Sequence, residues 1–389
     1  MKTRRVLLLS VLIAGLGLMR AARVTAQTFT VLHHFAGSPG DGANPHAGLS
    51  LSGNILYGTT QGGGGLGKGT VFALDADGTG FTTLHSFIGS PDGDYIDAGV
   101  ILSGNMLYGT AVYGGNFDNG TVFALNTNRT GFTNLHSFTA YPASAPYTNS
   151  DGVQPLGGLV LSGGTLYGTA VYGGSSDNGT LFAVYTNGTG FTNLHNFTIT
   201  SGSPGTNSDG AQPYESLILS GSTLYGMTLA GGNAGNGVVF RINTDGSGFT
   251  NLHSFTATSG PNFPTNSDGA QPRGLILSAN TLYGTASGGG SSGQGTVFKV
   301  NTDGSGFTNL HSFTAFSSII FGTNSDGAQP VGGLVLSGGT LYGTAFVGGS
   351  FQNGTVFAVN TNGTGFSNLH SFAAGSSFPN PTNNEGLRP

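Results

Sequence analysis

Apolar residues along the chain come in short runs, and each run stops at Gly, Asn, Asp or Ser. One stretch shows the pattern: an apolar run at 159–162, Thr165-Leu-Tyr-Gly-Thr-Ala170, Thr180-Leu-Phe-Ala-Val-Tyr185 and Phe191-Thr-Asn-Leu-His-Asn-Phe197. Runs of this length between turn residues predict β-strands. Strand a is expected at 159–162, b at 165–170, c at 180–185 and d at 191–198. The a–b link is two residues, such as Gly163-Gly164, which suits a hairpin turn with positive φ. Long helices are unfavourable in a chain with 72 Gly among 389 residues, since an interior Gly costs about 1 kcal/mol relative to Ala.

The same order of runs recurs. Leu-His-x-Phe places His at 33, 85, 136, 195, 253, 311 and 370, spaced 51 to 59 residues apart. Leu-Tyr-Gly falls at Tyr57, Tyr108, Tyr167, Tyr225, Tyr283 and Tyr342. A four-stranded antiparallel unit of this length fits a β-propeller blade, so the fold class is all-β. The repeat units span roughly 41–87, 92–138, 151–197, 209–255, 268–313 and 326–372, and 373–389 reads as the start of a further unit. The mature chain opens on a lone strand d, Phe29 to Phe35. Pairing it with three further strands would close a seven-bladed ring and remove the sheet edges. That reading expects a chain truncated at Pro389. A six-bladed ring with a surplus N-terminal strand is the alternative.

The strings Leu-Tyr-Gly-Thr, Gly-Thr-Val-Phe and Gly-Phe-Thr-x-Leu-His-x-Phe resemble the Gloeobacter/Verrucomicrobium tandem repeat across 27–389. The resemblance implies an exported bacterial protein, often with a C-terminal surface-sorting anchor, and assigns no activity to any residue. The Gly-Gly doublet after strand b is loosely similar to kelch propellers, although the kelch Trp is absent.

Residues 1–26 read as a signal peptide: Lys2, Arg4 and Arg5, then the apolar Val6 to Met19, then a cut before Gln27. This predicts a secreted or cell-surface location. Five of the 11 basic residues lie in that segment and all 16 acidic ones follow it, leaving a net charge of −10. Such a surface disfavours nucleic acid as a partner. With no Cys there are no disulfides or thiolate sites.

Strand alternation puts the short a–b and c–d links on one face and the long b–c and d–a links on the other. Long loops on a rigid scaffold are where binding is expected. Candidate ligand contacts on that face are Tyr113, Tyr172, Asp118 and Asp177, for a glycan or protein ligand. Asp151, Asp209, Asp268 and Asp326 recur in Asn-Ser-Asp-Gly-x-Gln-Pro and are either Asx-turn residues or oxygen ligands for Ca2+. No other cofactor is implied. The strand-d His read as structural, since equivalent positions of different blades lie far apart. Glu215, Arg241, Arg273 and Lys299 break the repeat. The sequence favours a non-catalytic binding or structural scaffold. The alternative is an extracellular propeller lyase or hydrolase with its site at the central opening, and no catalytic residue is identified.

Overall fold

A computed structural model of the chain describes residues 31–37, 39–318 and 322–373. Residues 1–26, where a signal peptide is expected, and the tail 374–389 lie outside the described residues. The chain divides into Met1–His34 and Phe35–Pro389, and the second unit holds every strand among the described residues. Six four-stranded antiparallel sheets follow one another as the blades of a propeller, each with its strands in chain order. The first strands of blades 1 to 6 are β1 (Ser50–Ser52), β5 (Ile101–Ser103), β9 (Val160–Ser162), β13 (Ile218–Ser220), β17 (Ala270–Ser278) and β21 (Val335–Ser337).

Blade 3 shows how closely pattern and strand agree. It runs β9, β10 (Thr165–Ala170), β11 (Thr180–Tyr185) and β12 (Thr192–Asn196), within two residues of the expected bounds. In every blade the register of the c–d pair shifts by a bulge, here between Leu181 and Phe182. The Gly after each repeated Tyr is required by packing: a Cβ on Gly226 would stand 2.5 Å from the ring of Phe240.

The blades are held by what lies between them. Five apolar clusters form, one for each successive pair from blades 1 and 2 to blades 5 and 6. Between blades 3 and 4, Tyr167, Leu181 and Phe197 meet Leu217, Leu224, Val238 and Phe240. Phe197 sets its edge on Phe240 at 5.8 Å and on Phe249 at 6.1 Å. Full burial of one such side chain is worth about 1.5–3 kcal/mol, so these junctions supply the cohesion that no disulfide provides.

The outer faces of blades 6 and 1 differ from the rest. Tyr342 is 38% exposed, whereas Tyr57, Tyr108, Tyr167, Tyr225 and Tyr283 are 7–9% exposed. On blade 1, Leu49 is 50% exposed, against 2–4% for Val100, Leu159, Leu217 and Leu334 at the same position. The segment expected as a lone strand, 29–35, begins outside the described residues, and its described part forms no ladder. Its last residue, Phe35, nevertheless packs on Phe72 at 5.2 Å and Phe81 at 5.8 Å. Phe87 sits on Phe123 and Phe132 at the same two distances.

Candidate functional site

Each d–a link carries a clasp between blades. His195 Nε2 lies 2.9 Å from Asp209 Oδ2, and its ring stacks on Phe249 of the next blade at 4.1 Å. The Thr198 backbone N–H and hydroxyl also donate to Asp209. His85–Asp92, His136–Asp151, His253–Asp268 and His311–Asp326 repeat the contact at 2.8–3.0 Å. Burial alone would raise the Asp209, Asp268 and Asp326 carboxyls, but the hydrogen bonds from His and Thr outweigh it and hold them below the usual range. The Asn of the same motif is also engaged: Asn207 Oδ1 accepts from Gly210 N and Gly232 N, tying the d–a link to the b–c link. The four Asp considered for Ca2+ thus each accept from a His and a Thr, and they sit in separate junctions. Among the described residues no group of three or more His, Cys, Asp or Glu gathers that could hold a metal ion.

The candidate contacts on the rim fall into two neighbouring groups. Tyr113 is exposed, pairs its ring with Tyr95 at 5.9 Å, and accepts from Gln154 Nε2 of the next lead-in at 3.4 Å. Asp118 closes its own turn by accepting from Gly114 N at 2.9 Å. Tyr172, in the b–c link of blade 3, forms a backbone bridge with Val153 of the d–a link that leads into the same blade. Asp177 accepts from Gly173 N and from the Tyr141 hydroxyl at 2.5 Å. Burial first, then that bond to Asp177, raises the Tyr141 phenol. Tyr141 in turn stacks with the exposed Tyr147 at 6.0 Å. Asp118 and Asp177 are therefore turn-formers, and Asp177 also holds the Tyr141 ring.

The residues before strand a of all six blades meet around one cavity of about 610 Å³. Equivalent positions can converge only on the propeller axis, so strand a is innermost and the cavity is the central mouth on the long-loop face. The residue after the lead-in Pro reads His46, Leu156, Tyr214, Arg273 and Val331, with Asp97 at this position in blade 2. Blade 5 has one residue fewer here. Its β17 runs straight through the lead-in with a bulge between Arg273 and Leu275, which carries Arg273 into the mouth. Only Gly fits next, because Gly274 has φ +44 and a Cβ would stand 2.5 Å from Gly332 O.

Two side-chain contacts organise the mouth. Arg273 Nη1 lies 3.4 Å from Glu215 Oε1, and its guanidinium sits 4.4 Å over the ring of Tyr214. His46 Nδ1 lies 3.5 Å from Asp97 Oδ1, which also accepts from Gln61 Nε2 at 2.8 Å. Burial raises the Glu215 carboxyl, Asp97 adds to this, and Arg273 and His46 oppose it. Burial, and then Asp97, raises the Tyr214 phenol. Leu156, Val331 and Phe346 give the remaining wall an apolar character.

Of the four repeat-breaking residues, the structure brings Glu215 and Arg273 together here. It places Arg241 and Lys299 elsewhere, donating to the Thr302 and Thr361 carbonyls. Asp97 escaped the sequence reading; Tyr214 stood there only as one long-loop aromatic among several, and His46 only as a His outside the strand-d motif. Aligning the units on the lead-in Pro and seeking the column that varies most would have found them.

Two solved structures share the fold. A putative 6-phosphogluconolactonase from Bacteroides uniformis is 14% identical, with 86% of each chain covered and a TM-score of 0.51. Another from Bacteroides fragilis is 15% identical, with 85% of this chain and 84% of that one covered and a TM-score of 0.50. At such identity the likeness concerns the fold alone. No curated protein matches the chain. The repeat pattern itself matches the Gloeobacter/Verrucomicrobia repeat over 17–207, 147–316 and 261–384, nearly the whole chain, and the protein belongs to that family.

Proposed function

We propose that the protein is an exported, non-catalytic binding propeller that presents its long-loop face to a glycan or protein. The observation that carries this reading is the placement of variation. The short-link face repeats the same turns, whereas paired tyrosines and the repeat-breaking residues of the mouth share the opposite face. Paired, partly exposed tyrosines offer large apolar area with a polar tip and lose little side-chain freedom on binding. A glycan array and a pull-down with the full chain test this. Retained ligand that is lost on Tyr113→Ala or Tyr147→Ala supports it, and an empty array with an empty pull-down overturns it. The enzymatic alternative is favoured by one observation, the raised Glu215 carboxyl beside Asp97 and Arg273. Turnover of a retained glycan, abolished by Glu215→Gln, would establish it.

Export and surface attachment belong to the same reading. Fractionation of the native host with an antibody to the propeller tests them, and recovery solely from the cytoplasm overturns them.

We infer further that a seventh blade position lies between blades 6 and 1. The exposed Tyr342 and Leu49, and the seating of Phe35 as if it ended a preceding strand d, support this. Appending a copy of residues 331–360 after Pro389 supplies strands a, b and c of a blade behind the lead-in 385–389. A melting temperature raised by several degrees is expected, and no rise overturns the inference.

A further inference from the structure

We propose that the central mouth binds a neutral polyhydroxylated ligand of one or two sugar rings, held by Asp97, Glu215 and Arg273. This rests on the binding reading above and assigns it a site and a chemical class. The cavity of about 610 Å³ is in the range that encloses small ligands. Its cation is already matched, Arg273 by Glu215, while Asp97 is held by Gln61 and His46. A charged ligand gains little from such a field unless it breaks a pair and leaves a partner uncompensated. What the pairs leave over suits hydroxyl groups. Each carboxylate has about four lone-pair sites, and the guanidinium has five N–H donors, of which one holds Glu215 at a long 3.4 Å.

A sugar hydroxyl both donates and accepts, so it can bridge a carboxylate and the guanidinium without disturbing either pair. The apolar arc of Leu156, Val331 and Phe346 opposes the polar one. That two-sided character matches a sugar ring, with hydroxyls at its edge and C–H groups on its face. Arg273 is held over the Tyr214 ring and by Glu215, so its donors are oriented before the ligand arrives.

The test is titration calorimetry on the full chain with glucose, N-acetylglucosamine, maltose and cellobiose, set against glucuronate and glucosamine. At least one neutral sugar is expected to bind, at least ten-fold tighter than either charged one. Its affinity should change less than about two-fold with added salt, since a neutral ligand feels little screening. Glu215→Gln and Asp97→Asn should each weaken it about ten-fold or more, with unchanged melting temperature reporting an intact fold. Tyr185→Ala, at the short-link end of blade 3, should leave it unaltered. Preference for glucuronate or glucosamine overturns the ligand class. Binding that survives both mouth substitutions but falls with Tyr147→Ala overturns the mouth as the site and leaves the binding face standing. No binding by any of the six overturns the proposal, while a glycan array or pull-down that still retains a ligand keeps the wider reading.

Discussion

Asp209 and Glu215 are six residues apart, and their carboxyls have opposite fates. Asp209 lies in a blade junction, accepts from His195 and Thr198, and is held below the usual carboxylate range. Glu215 lies in the mouth, has one long contact to Arg273, and is pushed up by burial. One carboxylate is saturated by its fold and stabilises it. The other is under-satisfied, which disfavours its charged form and leaves it able to take a ligand. The His–Asp contact recurs at every described junction from blade 1 to blade 6, and the arrangement of Glu215 occurs once among the described residues. In a repeat protein, repetition marks what each interface needs, and the exception marks what the whole ring does.

The largest expected effect tests the junction side. Phe240→Ala empties a fully buried site between blades 3 and 4 and should cost about 3–5 kcal/mol in denaturant unfolding. The chemically comparable Tyr342→Ala, on the open face of blade 6, should cost under about 1 kcal/mol. Equal costs would mean that the two faces are equally buried in solution. Next comes Asp209→Ala, which leaves His195 and Thr198 without their acceptor and should cost about 1–3 kcal/mol.

The pH dependence has a definite sign. Asp209, Asp268 and Asp326 have folded values below the ordinary 3.8, so their contribution is present above that value. It is lost as pH falls below 3.8 through the folded values. Melting temperature followed from pH 6 to pH 2 should therefore drop steeply at the acid end, and less in Asp209→Ala. Glu215 behaves oppositely: its folded value is raised, so ionisation above the ordinary 4.5 opposes folding. The smallest effect follows from it. Glu215→Gln should leave stability at neutral pH within about 0.5 kcal/mol or raise it, because the raised folded value means that the neutral form is favoured even with Arg273 beside it, and Gln retains a hydrogen-bond partner for Arg273. A loss as large as that of Asp209→Ala would erase the distinction between the two carboxylates.

Much of the fold was legible because it rests on local chemistry repeated six times. The strands of blade 3 fell within two residues of their expected bounds, since turn residues and short apolar runs are set along the chain. The structural part of the strand-d histidines was legible too. Their partners, the Asp of the next lead-in and the Phe of the next blade, were not, because those contacts cross blades. The rim tyrosines were identifiable as long-loop aromatics, whereas the ring pairs Tyr95–Tyr113 and Tyr141–Tyr147 depend on how links fold over one another.

The sequence by itself determined the four-stranded unit, its repetition and the packing role of Gly, Tyr and Phe, because these follow from turn geometry and from the need to bury each sheet face. Only the tertiary structure decided that His46, Asp97, Tyr214, Glu215 and Arg273, spread over more than 220 residues, share one cavity. The reason is geometric: a ring brings corresponding positions of distant blades to its axis, and the single-residue shortening that turns Arg273 inward has no meaning until that axis exists.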